Sequence, residues 1–271
     1  MKKQQLQETK QFLQSKGITN PQIGIVLGTG LGKLVNEIDV EIEIPYAAIP
    51  NFPEATVEFH SGKLIYGTLS GKKVLVMAGR FHVYEGYNLW EVTYGIRTMH
   101  QLGITTLLVS NAAGAINLNF KKGDLMLLTD HLNLQGSSPL AFKGAGDFGD
   151  LFADMLAPYS EKINNQLKAI AKANDIDLKE GMYASVVGPQ LETRAEYRML
   201  QILEVDAVGM STVPEVIVAK HLNLPCIAIS VLTDECDPKN LQPVNIEEII
   251  AIAGQAEPKM ITLFTELIKK I

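Results

Sequence analysis

Five separated segments carry residue types suited to holding an anion beside a polar heterocycle. The first, Gly28-Thr29-Gly30-Leu31-Gly32-Lys33, follows a short apolar run. Glycine N–H groups and a threonine hydroxyl can approach an anion closely there. Its spacing is not G-x-G-x-x-G, and Leu34-Val35 stands where a P-loop lysine would be followed by a hydroxyl, so it fits neither the dinucleotide nor the NTPase motif. An ordinary turn explains these residues equally well. The second segment is Gly79-Arg80-Phe81-His82-Val83-Tyr84-Glu85-Gly86-Tyr87. Arg80 offers a planar fork of donors matched to phosphate, and His82 adds another two residues on. Tyr84 brings an aromatic face and a hydroxyl suited to a sugar. The competing explanation is an edge strand with buried aromatics and a solvated arginine.

Ser110-Asn111-Ala112-Ala113-Gly114 comes third, where an apolar strand is expected to stop. Its small residues would let backbone amides face a ligand, though a plain turn into a helix has the same composition. In the fourth, Gly188-Pro189-Gln190-Leu191-Glu192-Thr193-Arg194, Glu192 reads as a first-turn acid complementing a helix dipole. It reads equally as a pocket carboxylate accepting the N1–H and 2-amino group of a 6-oxopurine. The fifth is Val208-Gly209-Met210-Ser211-Thr212-Val213-Pro214-Glu215. Met210 would pack on a base or sugar and Ser211 would donate to phosphate; a helix cap is the alternative. No segment decides the matter singly. The five together, in this order, do.

The elements that must position these residues follow from hydrophobic periodicity. An amphipathic helix opens the chain and stops at Gly17, and residues 23–27 form a strand entering the first glycine turn. Residues 64–69 and 74–78 read as a hairpin around Ser70-Gly71-Lys72. Helical spacing runs over 89–102 to Gly103, followed by β-rich runs at 104–110 and 124–129. Helices are expected at 160–174, 192–203, 213–221 and 245–271, with strands at 183–187, 207–208 and 226–232. Alternating strands and helices indicate an α/β fold, a largely parallel sheet covered on both faces, in one domain spanning 1–271. The Gly- and Ser-rich stretch 134–150 is long enough for a functional loop or a subunit contact.

Composition narrows the field. The 271 residues are 46% hydrophobic and 20% charged, ordinary for a chain that builds its own core. A net charge of −6 argues against a nucleic-acid partner, so an anionic ligand needs a local positive site. Cys226 and Cys236 are too far apart for a CxxC motif and read as free thiols. No signal-like or membrane-length apolar run is present, and a cytoplasmic location is expected.

The set GTGLG, GRFHVYEGY, SNAAGAIN, GPQLETRAE and VGMSTVPE closely resembles the trimeric purine nucleoside phosphorylases, from about residue 23 to residue 232. The resemblance implies a single α/β domain around a mixed, largely parallel sheet flanked by helices. It also implies reversible phosphorolysis of a purine nucleoside to free base and ribose 1-phosphate. Inorganic phosphate is then a co-substrate, and no metal or organic cofactor is expected. By the same resemblance Thr29, His60, Arg80, His82, the backbone at Ala112 and Ser211 hold phosphate. Tyr84 and Met210 meet the ribose, and Leu191 and Glu192 the purine, with His82, Glu192 and Asp234 the groups closest to the chemistry. Leu191 replaces a frequent phenylalanine, and Phe148 matches a residue donated into a neighbour's site, which implies a homotrimer.

Two positions depart from the inosine- and guanosine-cleaving pattern. Asp234 follows Thr233 where that family has asparagine bonding O6 and N7; an ionised Asp only accepts, which favours a 6-amino group. Protonated, it would donate to N7 instead. Ile246 aligns with a histidine that meets the ribose 5′-hydroxyl, so an apolar group there suits a 5′-deoxy or 5′-alkylthio sugar. Both lean towards the sister methylthioadenosine phosphorylases, whereas Glu192 leans back and carries more weight because it addresses N1. The expectation is therefore a 6-oxopurine preference, with adenosine or 5′-methylthioadenosine as rival substrates. A non-catalytic nucleoside-binding protein on the same fold is the alternative from another class, and a dinucleotide-dependent oxidoreductase is disfavoured by the glycine spacing.

Overall fold

Runs rich in Val, Ile and Leu, punctuated by glycine, become a nine-stranded sheet in the computed structural model, which describes residues 1–54, 56 and 61–271. The strands are β1 (Ile23–Val26), β2 (Asp39–Pro45), β3 (Lys63–Leu69), β4 (Lys72–Ala78), β5 (Thr106–Ala115), β6 (Leu125–Asn133), β7 (Leu178–Ser185), β8 (Ala207–Gly209) and β9 (Cys226–Glu235). Their order is β2-β3-β4-β1-β5-β8-β7-β6-β9, and β9 also pairs with β5. That last pairing closes β5, β8, β7, β6 and β9 into a ring from which β1, β4, β3 and β2 extend. Five strand pairings among the described residues are parallel and four antiparallel, so the sheet is mixed.

Side chains alternate between two apolar layers, as the two-residue period of a strand requires. Leu107 and Val109 face one layer, Leu108 the other. The first is completed by α1 (Lys2–Ser15), α2 (Leu89–Val92), α3 (Tyr94–Leu102) and α6 (Val213–His221), the second by α4 (Glu161–Ala173) and α7 (Ile246–Ile268). Each fully buried aliphatic side chain contributes about 1.5–3 kcal/mol relative to exposure. A third, smaller cluster forms around α5 (Arg194–Ile202), with Tyr197 and Leu200 packed on Val208 and Cys236. Helix starts are set locally. Thr193 accepts from Glu196 N–H at 3.2 Å while Glu196 reaches back to Thr193 N–H at 2.7 Å, and Asn245 accepts from Glu247 N–H at 2.8 Å.

The architecture agrees with the α/β reading, and several of its details differ from expectation. The helical run at 89–102 breaks at Thr93, whose hydroxyl bonds back to Leu89 O at 2.7 Å. Asn111-Ala112-Ala113-Gly114 is not a turn after a strand: it is the second half of β5, paired with Ser230–Glu235 of β9. Glu192 precedes the cap of α5 instead of opening its first turn. Strand β2, whose sequence DVEIEIP alternates acid and apolar, was not anticipated.

Candidate active site

A cavity of about 350 Å³ opens where the carboxyl ends of β1, β4, β5, β8 and β9 converge. It brings together Thr29, Arg80, His82, Tyr84, Ala112, Leu191, Glu192, Met210, Ser211, Asp234 and Ile246 from the sequence-derived set. His60 lies outside the described residues. Phe148 sits elsewhere, its ring 5.3 Å from Trp90 and 6.0 Å from Phe142 of its own chain.

One end of the cavity is built around Arg80, which is 2% exposed. Its Nη1 donates to Ser211 Oγ at 2.9 Å and Thr212 Oγ1 at 3.0 Å; its Nη2 donates to the Ser110 carbonyl and, at 3.4 Å, to Val26 O. Buried Glu215 pairs with the same Nη1 at 3.6 Å. The guanidinium is thus locked by groups on β1, β5 and the start of α6, and removing it would strand the Glu215 carboxylate out of water. Thr212 is the hinge of this arrangement. A β-branched residue at φ +70° is strained, and its hydroxyl is held by Arg80 and by Asn111 Nδ2 at 2.8 Å. Gly28 is required by proximity: a Cβ there would lie 2.7 Å from Asn111 Cα.

His82 is fixed by Glu85, whose Oε1 lies 2.8 Å from both the backbone nitrogen and Nδ1 of the histidine. Burial pushes the Glu85 carboxyl up, but bonds from His82 and Thr56 outweigh it and hold the group at about 2. A charged acceptor at Nδ1 sets the orientation and tautomer of the ring. Tyr84 stacks on that ring with centroids 4.6 Å apart, and burial pushes its hydroxyl up to about 12, leaving it a donor at neutral pH.

The other end carries two carboxylates. Glu192 is half-buried, and burial raises its pKa, with the charge of Asp234 adding to the effect. Asp234 Oδ1 accepts from Thr233 Oγ1 at 3.0 Å and Oδ2 from Cys236 Sγ at 3.2 Å. Between the ends lie Met210, Val208 and Ala113; Leu191 and Ile246, 44% and 50% exposed, form an apolar mouth. The cavity can therefore seat an anion at Arg80 and a flat hydrogen-bonding ring at Glu192 and Asp234, with Met210, Val208 and Ala113 as apolar lining. Glu85, Thr212 and Glu215 escaped the sequence reading as functional residues. Glu85 had a signal, since it lies three residues after His82; the Arg80–Glu215 pair spans 135 positions and had none. Among the described residues, no group of three or more His, Cys, Asp or Glu is placed to hold a metal, and no helix is long and apolar enough to cross a membrane.

Comparison with known proteins finds relatives along nearly the whole chain. Residues 22–269 match the phosphorylase superfamily. A curated relative, purine nucleoside phosphorylase 1 of Geobacillus stearothermophilus, is 41% identical over 271 residues, covering 100% of this chain and 99% of the relative. The crystal structure of Schistosoma mansoni purine nucleoside phosphorylase with inosine superposes with a TM-score of 0.93 at 38% identity, covering 99% of this chain and 96% of that one. The same enzyme with adenosine gives a TM-score of 0.93 at 38% identity, covering 98% and 96%.

Proposed function

The chain belongs to the phosphorylase superfamily, and from that membership we propose that it catalyses reversible phosphorolysis of purine nucleosides to free base and (deoxy)ribose 1-phosphate. The observation that carries the proposal is the single cavity with Arg80, His82 and Ser211 at one end and Glu192 and Asp234 at the other. In the reaction the C1′–N9 bond breaks and its electron pair leaves with the purine, which ends with the proton that phosphate gives up on bonding to C1′. Positive charge develops on the ribose. A phosphate dianion held by Thr29, Arg80, His82, Ser211 and the backbone at Ala112 stabilises that charge, then bonds to C1′. His60 completes this set in the family pattern. Tyr84 and Met210 seat the ribose, and Leu191 and Ile246 shield it at the mouth. Every step is supplied by phosphate and side chains, without metal or organic cofactor. Measuring base release from inosine with and without phosphate tests the proposal. Release must depend on phosphate and yield ribose 1-phosphate; phosphate-independent release would mean a hydrolase, and no release would leave a nucleoside-binding protein.

A 6-oxopurine, as in inosine or guanosine, is the preferred base in this reading, because Glu192 can accept the N1–H. Asp234 favours a second substrate class: both its oxygens are acceptors facing side-chain donors, and a 6-amino group supplies a further donor. The solved relative binds inosine in one structure and adenosine in another. Comparing kcat/KM for inosine, adenosine and 5′-methylthioadenosine separates the readings, and Asp234→Asn should raise the inosine-to-adenosine ratio. We further propose a cytoplasmic homotrimer serving purine salvage. Sedimentation tests the assembly: a mass of three chains supports it, and a monomer refutes it.

A further inference from the structure

Asp234 owes its pose to an irregularity in the sheet. The β5–β9 register runs Ala113 to Leu232 and then Gly114 to Asp234, so Thr233 is an extra, unopposed residue. Such a bulge re-aims the side chains beside it. Gly114 leaves the space they need: a Cβ there would stand 2.6 Å from Cys236 Sγ and 3.0 Å from Asp234 Oδ2. Into that space comes the Cys236 thiol, 1% exposed, anchored through its own N–H to Ala115 O at 2.8 Å and donating to Asp234 Oδ2 at 3.2 Å. Burial and the neighbouring Asp234 charge raise the thiol pKa far above its usual range, so it remains a donor at any working pH. The Thr233 hydroxyl is a shared donor, within reach of Ala113 O at 3.3 Å as well as of Asp234 Oδ1. Tyr197 packs with Cys236 in the small cluster around α5.

We propose that Cys236 is a positioning residue for base selectivity: its thiol holds the Asp234 carboxylate as a fixed acceptor, which admits 6-aminopurine nucleosides to a cavity that also takes 6-oxopurines. The inference rests on the reading that Glu192 and Asp234 face the base. One lone pair of each Asp234 oxygen meets an internal donor, and the remaining lone pairs receive the exocyclic N–H of adenine. Without the thiol, Oδ2 loses its only side-chain donor described here. The carboxyl is then free to turn away from the pose in which adenine finds an acceptor.

The test compares kcat/KM for adenosine and inosine in Cys236→Ser, Cys236→Ala and Asp234→Asn. Ser keeps a donor and should leave the adenosine-to-inosine ratio within about threefold; Ala should lower it about tenfold, the size of one hydrogen bond to a charged group. In the Asp234→Asn background, Cys236→Ala should have no further effect on the ratio. A purely structural cysteine would depress both substrates together, without selective rescue by serine. Such parallel loss, an unchanged ratio in Cys236→Ala, or an undiminished effect in the Asp234→Asn background would each overturn the proposal. Should Cys236→Ala fail to fold, Cys236→Val fills the space without a donor and must show the same lowered ratio. A wild-type enzyme that cleaves inosine with phosphate but never adenosine refutes this inference alone; one that cleaves neither refutes the proposed function.

Discussion

Replacing Glu85 with glutamine isolates the support of His82, the histidine proposed to bind phosphate. The carboxylate serves two donor pairs: His82 N–H and Nδ1 on Oε1, and the N–H (3.1 Å) and hydroxyl of Thr56 on Oε2. Glutamine keeps the shape but turns one oxygen into an NH₂ donor, so one pair of donors must face another donor. A hydrogen bond to a charged group is worth about 1.5–3 kcal/mol. If about 2 kcal/mol of that appears as misplacement of His82, kcat/KM for phosphate falls roughly 30-fold. Initial rates with phosphate varied at saturating inosine measure this, and the nucleoside KM should move much less. The pH dependence has a definite sign. The folded-state carboxyl is depressed to about 2, so its stabilising contribution is complete above the ordinary carboxylate range and fades only as pH falls from there through about 2. The wild-type-to-variant ratio should therefore be flat between about pH 5 and 8. A Glu85→Gln enzyme within threefold of wild type on phosphate, or one altered only in nucleoside KM, would refute the reasoning.

Burial raises the Glu192 pKa, so it protonates at higher pH than an exposed glutamate, and the protonated acid donates to adenine N1 where the carboxylate accepts the N1–H of a 6-oxopurine. The adenosine-to-inosine kcat/KM ratio should rise as pH falls from neutrality into the carboxylate range, and a flat ratio would count against Glu192 at N1. Arg80→Ala leaves Glu215 buried without its cation, a loss of about 3–5 kcal/mol visible as a lower Tm in thermal denaturation, beyond the loss of phosphate use. Gly28→Ala puts a Cβ 2.7 Å from Asn111 Cα, a backbone atom that cannot move aside, and should cut kcat/KM for phosphate more than 100-fold; Gly32→Ala, which meets nothing within 4 Å, should be tolerated in the same assay.

Segments with strong local signals were legible in the sequence. The helix at Val213–His221 begins after a threonine and carries proline near its start, and the hairpin of β3 and β4 turns on Ser70-Gly71. What escaped was tertiary. Nothing local to 110–114 announces that β5 continues through them; the continuation depends on β9 arriving from more than a hundred residues away. The sequence reads Glu192 as a first-turn acid of a helix starting after Gly188-Pro189, yet the Thr193–Glu196 capping box starts α5 after it. The cavity residues themselves were found because five motifs recur as a set, not because spacing revealed their geometry. Cys236 read as an inert thiol because its partner, Asp234, becomes significant only once the bulge at Thr233 turns it inward.

The pairing of β5 with β9 also bears on how the protein is made. Thr29, Arg80, His82, Ala112 and Ser211 all precede residue 225, so a chain synthesised that far already holds these residues proposed to bind phosphate. Its β5, however, still presents one long unpaired edge, lined by Leu107, Val109 and their neighbours, until Cys226–Glu235 emerges. An open apolar edge at the centre of a sheet is a template for pairing with other chains. Biosynthesis is therefore most exposed to aggregation until β9 is made, and a chain cut before Cys226 should be insoluble protein, not a weakened enzyme.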